Sequence, residues 1–145
     1  MIFDSFRARV GVVVIIDRQI LLIRDTRQET ASFHLPGDIV KVNETLESAA
    51  KRAVKDQAGV DIEVGKLLYV RDSMGESKHR LDLFFLGSIT KEPELSGKNP
   101  QFKADLININ ILESMDLLPK FLSKQILKDY KDRFRNPGNY VGALE

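Results

Sequence analysis

From Thr45 to Ala58 the residues Leu46, Ala49, Ala50, Ala53 and Val54 recur at helical intervals, so the segment predicts an amphipathic helix of about four turns with one side that must be covered. Asn43 or Thr45 can cap its start, and Gly59 can end it in a left-handed turn. The cover has to come from the flanks. Arg9 to Ile16 is a nearly continuous β-branched run, broken at Asp17-Arg18 and resumed from Gln19 to Arg24, which reads as a hairpin. Glu63 to Asp72 and His79 to Ile89 are rich in aliphatic and aromatic residues, and the loop Ser73 to Lys78 between them is short enough for antiparallel pairing.

The remaining segments follow by the same rules. Asp25 to Ser32 is a polar loop, and Phe33 to Gly37 returns the chain as a short extended segment, because a residue before proline avoids helix. Lys91 to Lys103, with Pro93, Gly97 and Pro100, is a second loop, and Asp105 to Ile111 alternates as a strand. Pro119 to about Phe134 predicts a last helix with Phe121, Leu122, Ile126, Leu127 and Tyr130 on one face, and the tail 136–145 reads as frayed. Strands mixed with a mid-chain and a C-terminal helix imply an α/β (α+β) chain of one domain, 1–145, with a mixed sheet between helices.

Charge narrows the partners. Twenty-two basic and 21 acidic residues give a formal charge of +1, so no global field draws the protein to nucleic acid or an anionic membrane, and phosphate recognition must be local. The absence of cysteine excludes disulfides and thiolate metal sites and fits a cytoplasmic protein. The longest apolar run, Val10 to Ile16, is too short to span a bilayer. A homodimer is compatible with the composition.

The most informative stretch is Leu35-Pro36-Gly37-Asp38, Glu44-Thr45-Leu46-Glu47, Arg52-Ala53-Val54-Lys55-Asp56-Gln57 and Gly59-Val60. It resembles the Nudix box, a loop–helix–loop with the pattern G-x5-E-x7-R-E-U-x-E-E-x-G-U, where U is aliphatic. Glu44, Arg52, Val54, Gly59 and Val60 stand in register, and Asp38 takes the place of the opening glycine. Phe33 ahead of Leu-Pro-Gly agrees with the family as well.

The resemblance implies the Nudix fold, with the box over about 37–60, and hydrolysis of a nucleoside diphosphate linked to another group. In the family, box glutamates hold magnesium or manganese, which neutralises the diphosphate and activates a water. Here those three positions are Ala53, Asp56 and Gln57. At an effective dielectric of about 20, a carboxylate about 4 Å from a dication supplies on the order of 8 kcal/mol of gross attraction, which alanine lacks entirely. Metal affinity is therefore expected to be low.

By the same resemblance, Asp56, Gln57, Glu44 and Arg52 are candidates for the catalytic machinery, with Glu44 and Arg52 bracing the loop against the helix. Gly37, Asp56, Asp38 and Glu47 are candidate metal ligands. Arg24, Phe33, His34, Arg71 and Arg80 are candidate substrate contacts, since guanidinium groups suit phosphate and an aromatic ring can stack on a base. Each has a plainer reading: Glu47 as a solvated helix-start acid, Phe33 as core, His34 as a surface strand residue, and the arginines as strand ends. Two functions follow. One is a domain that recognises a nucleotide or diphosphate compound while hydrolysing it weakly or not at all. The other is a metal-dependent pyrophosphohydrolase that uses Asp56 and acids from later loops such as Glu76, Asp82 or Glu94.

Overall fold

A computed structural model describes residues 5–28 and 32–145. Glu29 to Ala31, at the centre of the expected loop Asp25 to Ser32, lie outside the described residues.

The opening β-branched run forms β1 (Ser5–Ile16) and its continuation forms β2 (Gln19–Asp25). Asp17 and Arg18 both have positive φ, 48° and 65°, which matches the twist of a two-residue hairpin turn. The Leu-Pro-Gly segment supplies β3 (Phe33–His34) and β4 (Gly37–Ile39), and α1 (Leu46–Ala58) follows. The Thr45 hydroxyl caps α1 by accepting from the Ser48 N–H, and Gly59 closes it at φ 74° with its own N–H on the Lys55 carbonyl. Next come β5 (Ile62–Gly75), β6 (Lys78–Ile89), β7 (Phe102–Asn108), a 3-10 helix (Ile109–Ser114), β8 (Leu117–Leu118), α2 (Phe121–Lys131) and β9 (Asn139–Gly142).

The sheet runs β8-β3-β2-β1-β6-β5-β9, with β7 on β2 and β4 on β1. β1 organises it. Over Ser5 to Val14 it lies parallel to β6, over Arg9 to Gly11 it carries β4 on its other side, and only at Ile15 and Ile16 does it pair with β2. The opening between β4 and β2 is where the Leu-Pro-Gly turn and the end of α1 come together.

Alternation along the strands divides the core. Val10, Val12, Val14, Leu21 and Ile23 face Ala49, Ala50, Val54 and Ala58 of α1. Val13, Ile20 and Leu22 face the other way, into a cluster with Leu122, Ile126 and Leu127 of α2 and with Phe84, Ile109 and Leu117. Both faces of the sheet are therefore covered, as the order of elements implied.

Three expectations are corrected. The strand expected at Asp105 to Ile111 begins and ends three residues earlier, because the Asn108 side chain accepts from the Asn110 N–H and turns the chain into a 3-10 helix that buries Ile109 and Leu112. The C-terminal helix starts at Phe121 rather than Pro119 and ends at Lys131, where Arg133 and Phe134 adopt left-handed backbone. The tail expected to fray forms β9, parallel to β5, with the Tyr140 hydroxyl donating to Asp72 and the Arg71 Nε–H donating to the Leu144 carbonyl at 2.5 Å.

Candidate functional site

Arg52 is the hub of the loop that leads into α1. Its Nε–H donates to Glu44 Oε2 at 2.7 Å and an Nη2 hydrogen to Glu44 Oε1 at 2.9 Å, a bidentate pair. It also donates to Asp38 Oδ2 at 2.8 Å and to the Ile39 carbonyl at 3.1 Å. Glu44 in turn accepts from the Lys41 N–H at 3.0 Å. These donors hold the Glu44 carboxyl down at about 2 and push the Arg52 guanidinium above its ordinary value. Glu44 and Arg52 thus tie the loop ahead of α1 to the helix.

Asp38, which replaces the family's opening glycine, does not have left-handed backbone. One carboxylate oxygen takes the Ile39 N–H at 2.8 Å and the other takes Arg52, so its charge is already engaged by the brace.

Gln57 sits 4% exposed beneath the Leu-Pro-Gly turn. Its amide Nε2–H donates to the Gly37 carbonyl at 2.8 Å, and the Gly37 N–H donates to its Oε1 at 3.2 Å. That two-way match with the backbone of one residue fixes the orientation of the amide, and an ionised carboxylate could not reproduce it, having nothing to donate. Gly37 is required here by crowding: a Cβ would come within 2.2 Å of the Val10 carbonyl oxygen.

Ala53 is 1% exposed, and Asp56 is the one box position of the three with a carboxylate. Asp56 accepts a long 3.3 Å bond from Asn99. A magnesium ion demands a compact set of oxygen donors. Here the Gly37 carbonyl is already donated to, Asp38 is paired with Arg52, and Glu47 pairs with Lys51 on the outer side of α1. Asp82 is 3% exposed and bound by two arginines, while Glu76 and Glu94 line neither cavity described below. Among the described residues no three His, Asp or Glu side chains come together as a metal site. The donors present do not fit the magnesium or manganese ion that the resemblance implied.

Two cavities meet beside this loop, sharing Arg9 and His34. The one on the α2 side, about 340 Å³, is lined by Arg9, Arg71, Arg80 and Asp82 against Leu35, Phe84, Leu118, Pro119 and Leu122. The one on the α1 side, about 410 Å³, is lined by Gly37, Asp38, Asp56 and Gln57 of the box together with Asp25, Asn99, Gln101 and Phe102. Arg9, Asp82 and Arg71 stand in one row across β1, β6 and β5. Arg71 donates to Asp82 Oδ2 at 2.8 Å, and Arg80 donates to Oδ1 at 2.6 Å. Arg9 makes no hydrogen bond or ion pair with any described side chain, and burial together with the nearby Arg80 holds its guanidinium below the ordinary value.

Sequence reasoning missed Arg9. The available signal was a charged residue opening the apolar run of a central strand, but without the register across β6 nothing marked it apart from a strand end. His34 was flagged and does line both cavities. Its Nδ1–H donates to the Leu35 carbonyl at 3.0 Å, which leaves Nε2 as an acceptor, and burial lowers its pKa so that it is neutral at pH 7. Arg24 on β2 lines neither cavity, and Phe33 packs against the α2-side core.

A glycine turn braced onto a helix by an arginine–glutamate pair, beside a curled sheet between two helices, defines the class as a Nudix domain. The chain belongs to the Nudix family, whose NUDIX domain profile matches residues 5–129. It is similar in structure to a Nudix hydrolase from Nitrosomonas europaea, with a TM-score of 0.75 at 18% identity over 92% of this chain and 93% of that one. A MutT Nudix hydrolase from Burkholderia pseudomallei aligns at 25% identity and TM-score 0.62, over 74% of this chain and 86% of its own. An ADP-ribose pyrophosphatase from Streptococcus suis aligns at 16% identity and TM-score 0.69, over 96% and 98%. No curated protein sequence matches the chain significantly. Among the described residues no helix is long and apolar enough to cross a membrane.

Proposed function

We propose that this Nudix domain binds a nucleoside diphosphate-type ligand without a divalent metal and hydrolyses it weakly or not at all. The observation that carries the reading is the two-way hydrogen bonding between the Gln57 amide and the backbone N–H and carbonyl of Gly37. In a metal-bound box, a carboxylate at that helix position and the nearby carbonyl oxygen would both point lone pairs at a cation. Here the amide N–H satisfies the carbonyl, and the loop is held in place with no ion.

A cleft lined with arginines remains beside the loop, and guanidinium groups are the protein's own means of neutralising phosphate. The test is a panel of ADP, ADP-ribose and UDP-sugars, with binding measured by calorimetry in EDTA and again with magnesium or manganese. The same panel is assayed for release of phosphate or monophosphate. The expected result is equal affinity with and without metal and no release above buffer. Metal-dependent release at many turnovers per enzyme would overturn the reading in favour of a working pyrophosphohydrolase built on Asp56.

A further inference from the structure

The two cavities differ in charge. On the α2 side three arginines face one aspartate. On the α1 side the shared Arg9 faces three aspartates, of which Asp25 is paired with Arg27 and Asp38 with Arg52, while Asp56 has no ion pair among the described residues. In the family's usual arrangement, metal ions cancel the acids of the box and draw the diphosphate there. With no fit for such an ion, Asp56 repels phosphate, and Asp25 and Asp38, already paired with arginines, offer it no attraction.

Asp82 cannot neutralise the other side alone. Its two oxygens are taken up by Arg71 and Arg80. Arg9, one strand over in the same row, is left half-buried with no ion pair to a described side chain, and Asp82 and Asp38 nearby offset only part of its desolvation. A partly desolvated cation without a partner is costly, and the apolar walls Leu35, Phe84 and Leu122 strengthen its field toward anything that enters.

Resting on the nucleotide reading above, we infer that the ligand lies reversed with respect to the box: its phosphates sit on the α2 side against Arg9, Arg71 and Arg80, and its uncharged or cationic portion fills the α1-side cavity. The groups lining that second cavity suit a nucleoside or sugar. Asn99 and Gln101 offer both donors and acceptors, Asp56 accepts, and neutral His34 presents the Nε2 lone pair. Arg9 joins the two halves as the residue that touches both.

The experiment is carried out in EDTA on the full chain, with inorganic pyrophosphate and ADP as separate probes. Binding is measured by calorimetry, and sites are mapped by amide chemical shifts. Pyrophosphate is expected to shift the amides of Gly11, Arg71 and Asp82, and ADP those and additionally Asp56 and Gln57. Arg9→Gln is expected to weaken both probes at least tenfold. Arg80→Gln, which leaves Asp82 paired with Arg71, is expected to weaken them less and serves if the Arg9 variant does not fold. Pyrophosphate shifts confined to the box amides, or undiminished binding to both variants, would overturn the inference while leaving nucleotide recognition intact. Arg9-dependent binding of pyrophosphate with no binding of ADP would remove the nucleotide reading and keep the anion site, and binding of neither probe would end both.

Discussion

At the scale of single residues the box is reorganised by one atom. Replacing the Gln57 amide nitrogen by oxygen sets a carboxylate against the Gly37 carbonyl where a 2.8 Å hydrogen bond now runs. Gln57→Glu is therefore expected to cost about 1–3 kcal/mol in urea unfolding at pH 8 in EDTA, the usual penalty for a buried group left unsatisfied. The loss should shrink at pH 5, where a protonated acid can donate again. Equal stability of variant and wild type at both pH values would show that the pair does not hold the loop. The Glu44–Arg52 brace has its own pH signature. Since the folded Glu44 carboxyl ionises at about 2 against an ordinary value of 4.5, the brace is at full strength above that value and its contribution is lost as pH falls toward 2. Glu44→Gln should flatten the acid limb of stability against pH between those values, and an unchanged limb would assign acid sensitivity to other carboxylates. Both residues were legible from box spacing. What they bond to was not, because Gln57 and Gly37, twenty positions apart, meet only once the chain between them has folded.

At the scale of elements, the cleft depends on a loop that composition marked only as a connection. Residues 91–101 return over the end of α1, where a Cβ on Gly97 would stand 2.5 Å from the Gln57 carbonyl oxygen and 2.9 Å from that of Asp56. The close backbone packing places Asn99 and Gln101 on the α1-side cavity. Gly97→Ala is expected to destabilise the protein by about 1–3 kcal/mol through overpacking and to weaken ADP more than pyrophosphate, since only the nucleoside end meets the displaced loop. Unequal loss between the two probes is the readout, and equal loss would place the loop outside the nucleoside site. The helix and the hairpins were legible because period and turn residues are local signals, as with Thr45, Gly59 and Asp17-Arg18. β9 was not, since Asn139 to Gly142 has no alternation of its own and becomes a strand only because β5 offers it an edge.

At the scale of the whole molecule, the sheet separates two apolar clusters and leaves a charged seam across β1, β6 and β5. That both faces are covered was readable from the order of strands and helices, and Val12, Val13 and Val14 send successive side chains to opposite helices. The seam was only partly readable: Arg71 and Arg80 share one hairpin with Asp82, but Arg9 lies far from them in the chain and only the register of β1 on β6 brings it alongside. This arrangement ties stability to ligand. Three guanidinium groups held close together around one carboxylate repel each other in the empty protein, and a bound anion relieves that repulsion only in the folded state. Pyrophosphate at a hundred times its dissociation constant should therefore add about 2.7 kcal/mol by mass action. For a chain of this length, that is a rise in Tm on the order of 5–10 °C, measured by calorimetry in EDTA. Magnesium alone should leave Tm where it is, because among the described residues no compact carboxylate set is there to receive it. A rise with magnesium and none with pyrophosphate would reverse both assignments, placing the working charge of this domain back on the helix and not on the strands.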